Sequence, residues 1–284
     1  MDRTGSFESS DGTSLWYGTV GSGSPVVLCD GLACDGFIWP YLIDRLADDH
    51  QVVRWHYSGH GRSENPSDPD DLTVERLAED LGRLLDALDI ARASLAGHSL
   101  GVQVILEQAD IAPERVDALV AICGSYKYPL DTFHDSDLLR RAVPVLERAV
   151  ELAPNGVQSI WEFAARSPLA QIIAERAETN ARMLRSRDLV PYLEHAAEMD
   201  VEVFVALLSS AAEHSAEPYL GDIEAPALII AGEEDTFTPV YRSREMADAM
   251  RDAELVVVPG GTHAAPLEAP ARIGDEVERF LAEL

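Results

Sequence analysis

Residues 93–109 read ASLAGHSLGVQVILEQA, and the fold turns on how they are parsed. The opening ASLAG is a short apolar run of strand type. VQVILEQA has the apolar spacing of a helix, and G-x-S-x-G at 97–101 lies between the two. A serine at a strand-to-helix turn takes a strained backbone that lifts its hydroxyl out of the sheet. Gly97 and Gly101 are small because strand and helix pass close there. The helix N-terminus beyond Ser99 presents a favourable dipole to a developing negative charge.

Moving outward, the same alternation repeats. PVVLC (25–29), QVVRW (51–55), VDALVAIC (116–123), APALIIAG (225–232) and AELVVVPG (253–260) read as buried strands. WPYLIDRLADD (39–49) and LTVERLAEDLGRLLDALDI (72–90) have helical period. The latter carries a stripe of Val74, Leu77, Leu81, Leu84, Leu85 and Leu88, with Thr73 placed to cap it. Strand then helix, repeated, implies an α/β fold with parallel strands and helices on both faces. After Cys123 the rhythm breaks. From 126 to 220 the pattern is helical, interrupted by Pro144, Pro154, Pro168, Pro191 and Pro218, and strand character resumes at Pro226. A helical insertion of 126–220 within a sheet domain of 1–125 and 221–284 is expected.

A chain of 284 residues can bury a sizeable single core. It carries 50 acidic against 22 Lys and Arg residues, a formal charge of −28. That charge repels phosphate backbones and anionic lipid, so neither nucleic acid nor membrane is an expected partner. Lys127 is the single lysine. The base composition of a GC-rich genome and adaptation to high salt both account for such a balance. No apolar run is long enough to span a bilayer. The polar start MDRTGSFESSDG lacks a signal-peptide core, and three cysteines make no disulfide framework, so a cytoplasmic location is expected. Oligomeric state is not legible.

A nucleophilic serine needs a base, and the base a carboxylate to orient it. LIIAGEEDTFTPV places Asp235 just past a strand end, and VVVPGGTHAAPLEAP places His263 in the loop after the last strand. Glu233 and Glu234 are rival acids; His56, His60 and His98 are rival bases. LCDGLACDG (28–36) raises a metal or redox question through Cys29 and Cys34. No second Cys/His pair stands at ligand spacing, and the stretch reads as a backbone turn. No metal or other cofactor is expected.

Taken together, GHSLG, G-x-x-D at 232–235, G-T-H…L-E-x-P at 261–270 and G-H-G-R-S at 59–63 make the sequence resemble the α/β-hydrolase superfamily of esterase and lipase type, over nearly the whole chain. The resemblance implies a mostly parallel eight-stranded sheet with a helical cap inserted after strand 6. It implies Ser99 as nucleophile, His263 as base and Asp235 as orienter, the acid standing three residues after its glycine and ahead of Pro239. It also implies that the Leu32 and Leu100 amides hold the oxyanion around the Gly31 turn. Two departures stand out. Asp30-Gly31 replaces the family's His-Gly, and His56 stands where an aspartate is usual. An exchange of partners, with Asp30 paired to His56, is expected to keep the carboxylate away from the oxyanion. Trp161, Phe163, Met183, Tyr126, Tyr128 and Phe237 are the candidate pocket lining. The implied activity is cleavage of a small or medium carboxylic ester through an acyl-enzyme. C–C, lactone or thioester cleavage, perhydrolysis, and a non-catalytic ligand receptor are the alternatives.

Overall fold

β1 (Arg3–Glu8) and β2 (Ser14–Val20) form an antiparallel pair, and β2 joins β4 (His50–Trp55), again antiparallel. From β4 on, every pairing is parallel, through β3 (Ser24–Cys29), β5 (Ala93–His98), β6 (Val116–Ile122), β7 (Ala227–Gly232) and β8 (Ala253–Val258). The spatial order is β1-β2-β4-β3-β5-β6-β7-β8. The computed structural model describes residues 3–132, 136–167 and 190–284.

The central strands are buried on both sides, which explains their unbroken apolar runs. Alternate residues point to opposite faces. Val27, Cys29 and Leu95 share one core with α2 (Val74–Ala87) and α3 (Leu100–Ile111). Val26, Leu28 and Ala96 share the other with α1 (Pro40–Leu46) and the C-terminal helix, Pro270–Ala282. The predicted stripe of α2 is buried from Val74 to Leu85, and Thr73 accepts the Arg76 N–H at 3.2 Å as its N-cap. Each fully buried leucine in that stripe contributes about 1.5–3 kcal/mol.

Between β6 and β7 the described residues form α4 (Leu138–Leu152), α5 (Pro154–Ala165), α6 (Val190–Glu198) and α7 (Val201–Glu213), with no named strand. Pro154 opens α5, where a missing N–H costs nothing, whereas Pro144 sits inside α4 rather than ending it. The excursion leaves and rejoins the sheet domain at one stitched point. Tyr128 N donates to His214 O at 3.1 Å and Ala216 N to Tyr126 O at 2.8 Å, around a Lys127–Ser215 bridge. Among the described residues no helix is long and apolar enough to cross a membrane.

Candidate active site

The chain leaves β3 toward β4 on one side and returns to β5 on the other. The crevice at the C-terminal ends of β3 and β5 is therefore a switch point, where open α/β sheets bind ligands. Ser99 stands there at φ 55° and ψ −116°, a conformation that costs a non-glycine residue about 1–3 kcal/mol. Flanking glycines make the turn possible: a Cβ on Gly101 would land on Cys29 O, and one on Gly97 would land on Gly101 O. Ser99 occupies the N-cap position of α3, yet its hydroxyl caps nothing. A serine here normally accepts a helix N–H; this one does not.

Asp235 lies three residues past β7 and His263 five past β8. Gly232 lets their loops meet, since a Cβ there would sit 2.5 Å from Thr262 O. Asp235 Oδ2 is 3.0 Å from His263 Nδ1. The carboxylate also accepts Phe237 N–H (2.8 Å), Thr238 N–H (2.9 Å) and Thr238 Oγ1–H (2.8 Å). Burial pushes its pKa up, but His263 and these donors outweigh burial and hold it below the ordinary carboxylate range. The rival acids are placed elsewhere. Glu233 accepts Gly260 N–H, and Glu234 is exposed. Glu268 of the L-E-x-P segment is buried and binds Thr262 through both its N–H (2.7 Å) and its hydroxyl (2.8 Å), which pins the His263 loop. His98 adds a second strut, its Nε2 lying 2.9 Å from His263 O. Phe237 stacks on the His263 ring with centroids 4.8 Å apart.

Ser99 and His263 border one cavity of about 440 Å³ together with Leu32, Leu100, Phe237 and Trp161. Among the described residues, no hydrogen bond is formed by Ser99 Oγ. Among the described residues, neither the Leu32 nor the Leu100 amide donates to a protein acceptor.

The expected Asp30–His56 pair is not formed. Asp30, 1% exposed, accepts Trp39 Nε1–H at 2.5 Å, and its other oxygen, Oδ2, has no hydrogen-bond partner among the described residues. His56 turns the other way, accepting Arg62 N–H on Nδ1 at 2.9 Å and packing on Trp16 at 4.4 Å between centroids. The indole arriving from the start of α1 takes the place foreseen for the imidazole. Burial pushes the Asp30 carboxyl up to about 7, against the opposing pull of Arg54 and Trp39, while burial and the Arg54 charge push His56 down to about 3. Between the unfolded value of 3.8 and this folded value, the native state holds a proton that the unfolded chain has released. The Asp30 contribution to stability is therefore intact below about pH 4 and falls as pH rises toward 7. Asp30→Asn is expected to stabilise the protein above pH 7, by at most about 4 kcal/mol, and to lose this advantage below pH 4. Thermal melts of both proteins at pH 4 and pH 8 check it; a pH-independent difference would contradict it.

His60, read from sequence as part of a structural turn, has a sharper task. Its Nε2 accepts Ala33 N–H at 3.2 Å, so the proton resides on Nδ1, 3.0 Å from Ser58 O. Ala33 has φ 56° and directly follows Leu32. Burial lowers His60 to about 4, so the ring stays neutral and able to accept. His60→Leu is expected to loosen the turn and lower kcat by up to about 10²-fold, with KM little changed. Steady-state kinetics on an activated ester checks this.

The candidate pocket residues divide. Trp161 and Phe237 line the cavity. Phe163, two residues round the helix from Trp161, faces outward and is 82% exposed. Tyr126 is buried with its hydroxyl 3.2 Å from Glu245, and Tyr128 lies against Arg140 at 5.8 Å, so neither borders the cavity. Met183 lies outside the described residues. Phe37, Leu146, Phe204 and Gln103 line the cavity without having been foreseen. Cys29 is enclosed at the end of β3, its thiol pushed up to about 12 by burial, and Cys34 borders the cavity.

This sheet, with its serine turn at one strand end and a His–Asp pair at two others, is the framework of a hydrolase. The family model of the alpha/beta hydrolase fold matches residues 24–270, and the chain belongs to that family. It is 29% identical over 274 residues to a protein of Azorhizobium caulinodans that bears the name of a carbamate hydrolase, RutD, covering 95% of this chain and 96% of that one. In structure it is similar to an esterase of Thermogutta terrifontis, with a TM-score of 0.82 and 20% identity over 99% of this chain and 98% of the other. It is also similar to an enol-lactonase of Burkholderia xenovorans LB400, with a TM-score of 0.79 and 22% identity over 98% and 100%.

Proposed function

We propose that the protein is a serine hydrolase that cleaves small or medium-sized uncharged carboxylic esters. One observation carries the reading: Ser99, the Leu32 and Leu100 amides without protein acceptors among the described residues, and a His263 bonded to the enclosed Asp235 all border one largely apolar cavity. Asp235 holds the hydrogen of His263 on Nδ1, leaving Nε2 to accept. As Ser99 Oγ attacks the ester carbonyl, Nε2 takes its proton, and the oxyanion is received by Leu32 and Leu100 N–H. The imidazolium returns the proton to the departing alkoxide, giving an acyl-serine and an alcohol. Water then repeats the steps, releasing the acid and restoring Ser99. None of these steps needs a cofactor. The helices between β6 and β7 serve as a cap that encloses the acyl group with Trp161, Leu146 and Phe204.

The relative named for carbamate hydrolysis supports carbamates as a second substrate class, since their carbonyl is open to the same attack. Reaction with a fluorophosphonate probe, followed by a panel of p-nitrophenyl esters of increasing acyl length and one N-alkyl carbamate, tests the reading. Stoichiometric labelling of Ser99 with turnover of short to medium esters is the expected result. A serine that does not label, with no turnover, would favour a ligand-binding role on this fold.

A further inference from the structure

Gln103 lies one turn of α3 beyond Ser99, about 6 Å along the axis, and both residues border the cavity. Its side-chain amide is locked by a chain of buried partners. Nε2 donates to Ala211 O at 3.0 Å and to His214 Nδ1 at 3.1 Å. With Nδ1 accepting, the His214 hydrogen lies on Nε2, which donates to Glu107 Oε2 at 3.2 Å. Tyr219 O–H donates to the same oxygen at 2.6 Å. His214 comes first among the causes that hold the Glu107 carboxyl below its ordinary value against burial, and an ionised Glu107 keeps both donors turned inward. A flipped amide would set its oxygen against Ala211 O, so only one orientation satisfies this chain.

That orientation fixes Oε1 as the end left over. Among the described residues Oε1 receives no hydrogen bond, and it is not sealed in as the unpartnered Gln108 Oε1 is. Elsewhere the lining is mostly hydrocarbon, and among the described residues no Asp, Glu, Lys or Arg borders the cavity. An oriented acceptor in an uncharged pocket rewards a ligand that brings a donor and penalises one that leaves the oxygen dry.

We propose that Gln103 Oε1 is a specificity determinant that accepts a hydrogen bond from an N–H or O–H group of the substrate. The preferred substrates are then uncharged esters, or related carbonyl compounds, with such a donor a few atoms from the scissile carbon, acylamino esters being the simplest case. This rests on the hydrolase reading above and narrows it to a substrate class.

The test compares kcat/KM for p-nitrophenyl N-acetyl-β-alaninate and p-nitrophenyl 5-oxohexanoate, which differ by N–H against CH2, each corrected for its rate with hydroxide. The wild type is expected to prefer the amide ester by about tenfold or more. In Gln103→Met the ratio falls to near one. In His214→Phe, which keeps Gln103 but leaves Ala211 O as the one group holding its amide, it falls severalfold. Fluorophosphonate labelling identifies variants whose site is intact. A wild-type ratio near one, or a ratio that persists in a labelled Gln103→Met protein, overturns the proposal; if neither variant folds, the wild-type ratio decides. Equal turnover of both esters removes the role of Gln103 and leaves the hydrolase standing, whereas no turnover together with an unlabelled Ser99 removes both.

Discussion

Ser99→Ala is expected to lower ester turnover by about 10⁶-fold, to the level left by binding and oxyanion contacts alone. The alanine has no nucleophile, and nothing nearby replaces it. Cys34, which also borders the cavity, has its Sγ 3.4 Å from Leu32 O. Stability is expected to change in the opposite direction or very little. The hydroxyl makes no capping bond, so its loss removes no structural contact. The φ of 55° persists in the variant because the glycines around it set the turn. Measurement of kcat beside a thermal melt checks both parts. Residual turnover within tenfold of wild type would assign the chemistry to another residue.

Asp235→Asn is expected to lower kcat by about 10⁴-fold while leaving the fold in place. The amide can still occupy the space and accept the Phe237 and Thr238 N–H groups through its oxygen. Its nitrogen, however, would face Thr238 Oγ1 and His263 Nδ1, both now bonded to Oδ2. An NH2 there donates to Nδ1, which moves the imidazole hydrogen to Nε2 and leaves no base toward Ser99. The loss should fall on kcat more than on KM, because the substrate meets the cavity wall and not Asp235, whose side chain is fully enclosed. If Glu233→Gln or Glu234→Gln instead produced the large loss, the carboxylate assignment would be wrong.

The sheet and the three segments that meet at the cavity were legible because their signals are local. Apolar runs mark β3 to β8, and G-H-S-L-G, G-x-x-D and G-T-H each bind one chemical requirement to one strand end. The Asp30 partner was not legible. Trp39 and His56 are both within reach of that turn in sequence terms, and only the packing of α1 decides that the indole arrives. Pocket residues failed for a related reason. Trp161 and Phe163 are equally aromatic and two positions apart, but a helix sends them to different sides, and the side facing the cavity is a tertiary fact. The value of His60 was hidden too, since its acceptor role depends on Ala33, which lies 27 residues away in the chain. Gln103 carried a faint signal: a polar residue four places after the serine, in a helix otherwise apolar at that point.

The stem where Tyr126–Tyr128 lies against His214–Ala216 separates two kinds of change. Ser99, Asp235 and His263 are anchored on one side of that clasp, and Leu146, Trp161 and Phe204 of the cavity wall are hung on the other. The hung segment is also seated on the sheet domain, since Val203, Leu207 and Ala211 of α7 share one core with α2 and α3. Leu139 and Leu146 of α4 face the cavity away from that core, so substitutions there are expected to reshape the pocket while the clasp and the seat of α7 stay as they are.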